Sequence, residues 1–210
     1  MNKLKKKVLI FDVDGVLIDS KKNMELSWKK VQKQHQLQNV KFESYFKNIG
    51  RPFFKILDIL GIHKNKKKIK KTYQQESIKQ IKEIKFYENT KKIIKDLKNK
   101  DYILNIVTSK DLERTIKSIK DIKNNFTYIE CNNDKTRGKP FPDQINLIIS
   151  KLKVSKSECI YIGDTLVDYN TAKNANIDFI FAKWGYGINY NYRYQCKNIK
   201  DLNKLIVKVE

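Results

Sequence analysis

Sulfur, arginine and long apolar runs are all scarce in this chain, and each scarcity excludes something. Its three cysteines, Cys131, Cys159 and Cys196, are odd in number, widely spaced and lack a CxxC pair. They read as reduced thiols of a cytoplasmic protein, and they argue against a metal held through sulfur. The longest apolar stretches, such as VLIF at 8–11 and FIFA at 179–182, are far too short to cross a bilayer, so no membrane partner is expected. The basic start MNKLKKK is followed by an apolar run that ends at Asp12, which is not the form of a secretory signal. Positive charge is plentiful but is almost all lysine, with only four arginines, the residue that bidentate phosphate and base contacts prefer.

What is present is a chain of 210 residues, 40% hydrophobic, with a formal net charge of +22. That length fits one domain, or one domain with a sizeable insertion, and is enough to bury a core. The lysine excess reads as a coding bias that covers the surface. The alternative is an anionic partner such as nucleic acid. Residues 20–87 hold 18 Lys+Arg against 5 Asp+Glu, so +13 of the charge lies in one third of the chain.

Those residues contain no convincing strand. Helices are expected near 20–36, 41–49, 53–60 and 64–85, the last with Ile69, Tyr73, Ile78, Ile81 and Ile84 on one face. Outside this region strand and helix alternate. Strands are expected at 7–11, 102–107, 126–130, 158–162 and 178–182. Helices are expected at 89–99, 110–121, 141–152, 165–175 and 199–207. Alternation of this kind argues a parallel sheet covered on both faces. The expected fold is α/β: a doubly wound, mainly parallel Rossmann-like sheet of residues 1–19 and 88–210, with an all-helical insertion at 20–87.

Ligands of such sheets sit beyond the carboxyl ends of the strands. Four polar clusters fall on that rim: DVDG from Asp12, TSK at 108–110, GKP at 138–140 and GDTLVD at 163–168. Asp12 and Asp14 are two apart and share one side of an extended chain, and Gly15 allows a sharp turn past them. Joined by Asp164 and Asp168, these carboxylates repel one another unless a hard cation intervenes. An oxygen-only set suits Mg²⁺. Lys139 and Thr108, with Ser109 beside it, add positive charge and hydroxyl donors, which makes an anion slot suited to a phosphoryl group.

The segments DVDGVLIDS, VTSK, GKPFPD and GDTLVDYNTAKNA, taken together, resemble the four motifs of the haloacid dehalogenase-like phosphohydrolases, most of all the phosphoglycolate phosphatase and β-phosphoglucomutase branch with its helical cap. The resemblance implies that Asp12 is the nucleophile and forms an aspartyl phosphate. It implies that Asp14 protonates the leaving oxygen and then activates water. Mg²⁺ would be held by Asp12, the Asp14 carbonyl and Asp164, with Asp168 a direct or supporting ligand. Thr108 and Lys139 would bind the phosphoryl group. The family's dehalogenases lack an acid at the position of Asp14, so its presence points to phosphoryl transfer. Asp19 is read as a turn or helix-entry residue.

In this family the cap selects the substrate. Gly50 and Pro52 in NIGRPFFK match a cap loop of the phosphoglycolate branch, and Arg51, the one arginine of the insertion, is placed to meet a second anionic group. WGYG at 184–187 resembles a loop flanking the active site, with packing on the core the alternative for Trp184. His35 and His63 are read as surface or packing residues. The expected protein is a cytoplasmic Mg²⁺-dependent phosphatase of a small phosphorylated metabolite, a monomer or weak dimer. The alternatives are a sugar-phosphate mutase and a nucleic-acid-associated protein or end-phosphatase using the basic cap.

Overall fold

The computed structural model describes residues 4–133, 136–188 and 191–208. Along the chain run β1 (Leu4–Lys6), β2 (Val8–Phe11), β3 (Ile18–Asp19), α1 (Lys21–His35), α2 (Phe42–Phe46), α3 (Phe53–Ile59), α4 (Lys66–Lys79) and β4 (Lys85–Phe86). Then follow α5 (Thr90–Asn99), β5 (Ile103–Thr108), α6 (Leu112–Ser118), β6 (Tyr128–Cys131), α7 (Asp143–Leu152), β7 (Cys159–Gly163), α8 (Leu166–Ala175), β8 (Asp178–Ala182), β9 (Gln195–Cys196), α9 (Leu202–Leu205) and β10 (Ile206–Lys208).

Six of the strands form one sheet in the order β6-β5-β2-β7-β8-β9, and every pairing within it is parallel. The side-chain period of two divides each strand between two cores. Leu9, Phe11, Leu104, Ile106, Ile160 and Ile162 face Ile93, Ile94 and Leu97 of α5. Val8, Ile10, Val107 and Tyr161 face Ile145 and Ile148 of α7 and Ala172 and Ala175 of α8. Covered on both sides, the central strands are mainly apolar, as a parallel sheet requires, and buried Asn105 of β5 is satisfied by the Ile103 carbonyl and the Tyr128 N–H. The chain leaves β2 and returns to it from opposite sides, through β5 on one flank and β7 on the other. The carboxyl end of β2 is therefore the topological switch point.

The helices α1–α4 leave the core through β3 and return through β4, and those two short strands pair antiparallel. This insertion has its own apolar cluster around Trp28, Tyr45, Phe53, Leu57 and Tyr73. Trp28 stacks on Tyr45 with centroids 4.5 Å apart, and its indole N–H donates to the Val40 carbonyl.

Four elements differ from expectation. The helix expected over 64–85 stops at Lys79, because buried Asn23 on α1 donates to the carbonyls of Ser77 and Gln80 and satisfies the helix end there. Residues 85–86 are then free to pair with β3, which puts a short strand inside the region read as wholly helical. The helix expected at 110–121 begins only at Leu112, where the Asp111 carboxylate accepts from the Arg114 N–H as its N-cap. The helix expected at 199–207 is a 3-10 turn and the four residues of α9, after which β10 pairs in parallel with β1. Among the described residues no helix is long and apolar enough to cross a membrane.

Candidate active site

The rim at the switch point is built from strand exits. Asp12 continues β2, its N–H donating to the Ile162 carbonyl of β7 at 2.9 Å. The chain then folds back on itself. The N–H groups of Leu17 and Ile18 both donate to the Val13 carbonyl, and Gly15, at φ +86°, donates to Ile18. A side chain at Gly15 would be strained by that φ, and its Cβ would lie 2.1 Å from Asp164 Oδ2. The turn thus brings the β2 exit against the β7 exit, and Asp12 and Asp14 both face one cavity.

Lys139 arrives from the segment between β6 and α7 and is fully buried. Its ammonium lies 2.8 Å from Asp12 Oδ1 and 2.6 Å from Asp168 Oδ1. Asp168 is held on every side. Its Oδ1 is also 3.0 Å from the Tyr161 hydroxyl, and its Oδ2 accepts from both the N–H and the hydroxyl of Thr165. The bond from the Thr165 N–H, with the Asp168 N–H donating back to the Thr165 hydroxyl, forms a capping box that starts α8, so helix initiation and lysine placement use the same carboxylate. Asp168 therefore spends its oxygens on Lys139, Tyr161 and Thr165, although it lies close enough to share an ion.

Oxygens of Asp12, Asp164 and Asp168 lie within 4.8 Å of one another. Three buried carboxylates face one buried lysine, which leaves two negative charges uncompensated. Burial, opposed by Lys139 and reinforced by Asp168, pushes the Asp12 carboxyl up to about 7. Burial, with Asp168 and Asp12 beside it, lifts Asp164 well above the usual carboxylate range. Asp164 Oδ2 accepts the Tyr186 N–H at 2.7 Å, whereas its Oδ1 is buried with no partner among the described residues. Orphaned buried carboxylate oxygens are costly. An all-oxygen set with excess negative charge and one unused oxygen fits a hard divalent cation such as Mg²⁺.

The remaining expected residues also reach this cavity. Thr108 is buried at the β5 exit, and its hydroxyl accepts from the Lys110 N–H. Ser109 lines the cavity, but its hydroxyl donates to the Gly50 carbonyl at 2.6 Å and so ties the rim to the helical insertion. Arg51 lines the same cavity and has no ion-pair partner among the described residues. Beyond it the insertion presents Met24, Tyr45, Phe53 and Tyr73, an apolar and aromatic wall. Hydrogen bonds from Ser109 to the Gly50 carbonyl and from Gln74 to Asp111 hold the insertion against the rim.

Several groups at the site had no sequence signal of their own. Lys110 stands in the TSK triplet, yet its ammonium pairs with Asp14 Oδ1 at 2.6 Å, where the Ser20 hydroxyl also donates. Arg114 is buried over the Tyr73 ring and paired with Asp111, which Gln74 of the insertion also contacts. Thr165 lines the cavity and bonds Asp168, and Tyr161 bonds Asp168 and lies with its ring 5.4 Å from the Lys139 ammonium. Asp19 accepts from the Lys21 N–H at the entry of α1, the architectural use expected of it. Trp184 packs on the core and donates to the Val16 carbonyl. His35 lies 2.9 Å from the Thr72 hydroxyl and His63 3.6 Å from Asp58, both away from the cavity.

The haloacid dehalogenase-like hydrolase family model matches residues 9–182, and the chain belongs to that family. Solved structures share its fold over nearly the whole length. A Bacteroides fragilis protein described as a haloacid dehalogenase-like hydrolase is 24% identical, with a TM-score of 0.87 over 94% of this chain and 100% of its own. A predicted phosphoglycolate phosphatase of Haemophilus somnus is 19% identical, with a TM-score of 0.81 over 95% of this chain and 97% of its own. A predicted phosphatase of Clostridium acetobutylicum is 22% identical, with a TM-score of 0.82 over the same shares. No curated protein matches by sequence.

Proposed function

We propose that this chain is a Mg²⁺-dependent phosphatase of a small phosphorylated metabolite, working through an aspartyl phosphate. The observation that carries the reading is the Lys139 bridge from Asp12 to Asp168, with Asp14 on the same cavity wall. Family membership and the phosphatases among the fold's relatives support it.

Asp12 offers the nucleophile. Lys139 occupies its Oδ1, and its other oxygen has no hydrogen-bond partner among the described residues. That oxygen attacks phosphorus, the bond from phosphorus to the ester oxygen breaks, and Asp14 gives that oxygen a proton. Asp14, now a carboxylate, takes a proton from water as the water oxygen attacks the aspartyl phosphate, which releases phosphate and restores Asp12. Thr108 and Lys139 hold the phosphoryl oxygens, Lys139 as a fixed charge needing no reorganisation. Mg²⁺, held by Asp12, Asp164 and the Asp14 carbonyl, would offset the charge gathered between the phosphoryl group and the carboxylates. Asp168 serves this set by fixing Lys139.

The helices α1–α4 act as the cap over a core of residues 1–19 and 88–210. Tied to the rim by the Ser109–Gly50 and Gln74–Asp111 bonds, they bound a cavity that suits a metabolite rather than a polymer. Arg51, unpaired in that space, is assigned to a second anionic group of the substrate. The deciding experiment measures phosphate release from phosphorylated sugars, phosphoglycolate and nucleotides, with and without Mg²⁺, for the wild type and Asp12→Asn. The amide keeps the shape but is a poor nucleophile, so the variant should fold and release nothing. Turnover retained by Asp12→Asn would overturn the assignment.

A further inference from the structure

The loop after β8 grips the cation-side carboxylate and the root of the cap at once. On one side its backbone closes on Asp164. The Tyr186 N–H donates to Oδ2 at 2.7 Å, and a Cβ built on Gly185 would fall 2.3 Å from Asp164 Cβ and 2.5 Å from the Gly15 carbonyl oxygen. A Cβ on Gly187 would fall 1.7 Å from the Asp164 carbonyl oxygen. These two glycines supply closeness, leaving no slack between the loop and the carboxylate.

On the other side the Tyr186 side chain reaches the cap entry. Its hydroxyl accepts the Ser20 N–H at 2.6 Å and donates to Asp19 Oδ1 at 2.9 Å. Asp19 belongs to β3 and Ser20 precedes α1, so these bonds fall where the chain passes into the cap. The ring meets Phe46 of α2 edge-on, with centroids 5.2 Å apart. One residue thus spans from Asp164 to the cap's entry strand and then to a helix of the cap itself.

We propose that Tyr186 is a positioning residue that couples occupancy of the cation site to closure of the cap. The proposal rests on the Mg²⁺-assisted reading of the site. A cation on Asp164 would set that carboxylate, and the tight loop would carry the setting through the Tyr186 hydroxyl to the cap entry and through its ring to Phe46 of the cap. Coupling between two binding equilibria is reciprocal, so a cap that loses this contact binds the cation less tightly.

The test uses the full chain and Mg²⁺ alone, by titration calorimetry and amide hydrogen exchange. Tyr186→Phe keeps the N–H and the ring but removes both hydroxyl bonds. Phe46→Leu keeps apolar bulk on the cap but removes the ring edge. Each should raise the Mg²⁺ dissociation constant by about fivefold or more, the lower end of ordinary coupling. Mg²⁺ should slow exchange over residues 42–46 in the wild type and do so less in both variants. A merely structural Tyr186 would not let Phe46→Leu, a change on the cap, alter Mg²⁺ affinity. Wild-type affinity in either folded variant, or exchange over 42–46 indifferent to Mg²⁺ in the wild type, overturns the proposal. Asp164→Asn separates the two levels. If the wild type binds Mg²⁺, Asp164→Asn does not and Tyr186→Phe binds normally, only the coupling falls. If the wild type binds no Mg²⁺, the cation reading falls and the coupling with it.

Discussion

Lys139 and Asp12 form a buried ion pair at 2.8 Å, and the same ammonium holds Asp168 at 2.6 Å. Burial pulls the lysine's pKa down, but the charges and hydrogen bonds of the two carboxylates outweigh it and leave it above the ordinary lysine range. Its contribution to stability is therefore complete at neutral pH and lost only as pH rises beyond that range. Lys139→Met should leave buried Asp12 and Asp168 without a counter-charge, Asp168 keeping only its bonds from Tyr161 and Thr165, at a cost on the order of 3–5 kcal/mol. Urea denaturation in EDTA at pH 7 measures this, and phosphate release should be lost together with the stability. A variant of unchanged stability would mean that the carboxylates find other partners.

The Lys110–Asp14 pair at 2.6 Å makes a different claim, about placement of the acid and base. Without Lys110, Asp14 keeps only the Ser20 hydroxyl and is free to turn. Lys110→Met should lower kcat/KM on the order of tenfold for an alkyl phosphate, less than the full 10²–10⁴ of general acid–base catalysis. It should lower it far less for p-nitrophenyl phosphate, whose leaving group departs without a proton. Parallel kinetics on the two substrates check this. Equal losses would place Lys110 on the phosphoryl group instead.

These contacts also mark where sequence reasoning stopped. Asp12, Thr108 and Asp164 stand at the exits of core strands and Lys139 in the segment between β6 and α7 on the same rim, so parallel topology predicts that they meet, and they do. Lys110 was legible as part of the TSK cluster, but its pairing with Asp14, 96 residues away, was not. Asp168 was legible as part of the motif, but not its commitment to Tyr161 and Thr165. The strands β9 and β10 were missed because two or three residues show no period. The overlong fourth helix of the insertion had an unbroken apolar pattern, and what ends it is a side chain on another helix, Asn23.

Arg51 tests the assignment of substrate selection to the cap. It faces the cavity without an ion-pair partner among the described residues, whereas Arg114 is already neutralised by Asp111 at 2.6 Å. Hydrogen bonds to charged groups contribute about 1.5–3 kcal/mol. Arg51→Ala should thus raise KM about tenfold or more for a metabolite bearing a second anionic group. For p-nitrophenyl phosphate, which has none, KM should hardly change. The comparison of the two KM ratios is the measurement, and equal ratios would remove Arg51 from recognition.

The three cysteines offer a test of the core itself. Cys159 begins β7, Cys131 ends β6 and Cys196 ends β9, all buried. Burial is the leading cause that pushes their thiols up, to about 11 for Cys131 and Cys159 and to about 12 for Cys196. A thiol held neutral in the fold stabilises it below the ordinary thiol range, and that contribution drains away as pH climbs toward 11. At pH 8 almost no thiolate is present and none is accessible, and the thiolate is the reactive form. Iodoacetamide at pH 8 should therefore leave the native chain unmodified, whereas in denaturant it should add three groups, read by intact mass. Adducts on the native chain at the unfolded rate would mean that these strand ends open readily to solvent, and the apolar layers covering the sheet could not then be as closely packed as the buried positions require.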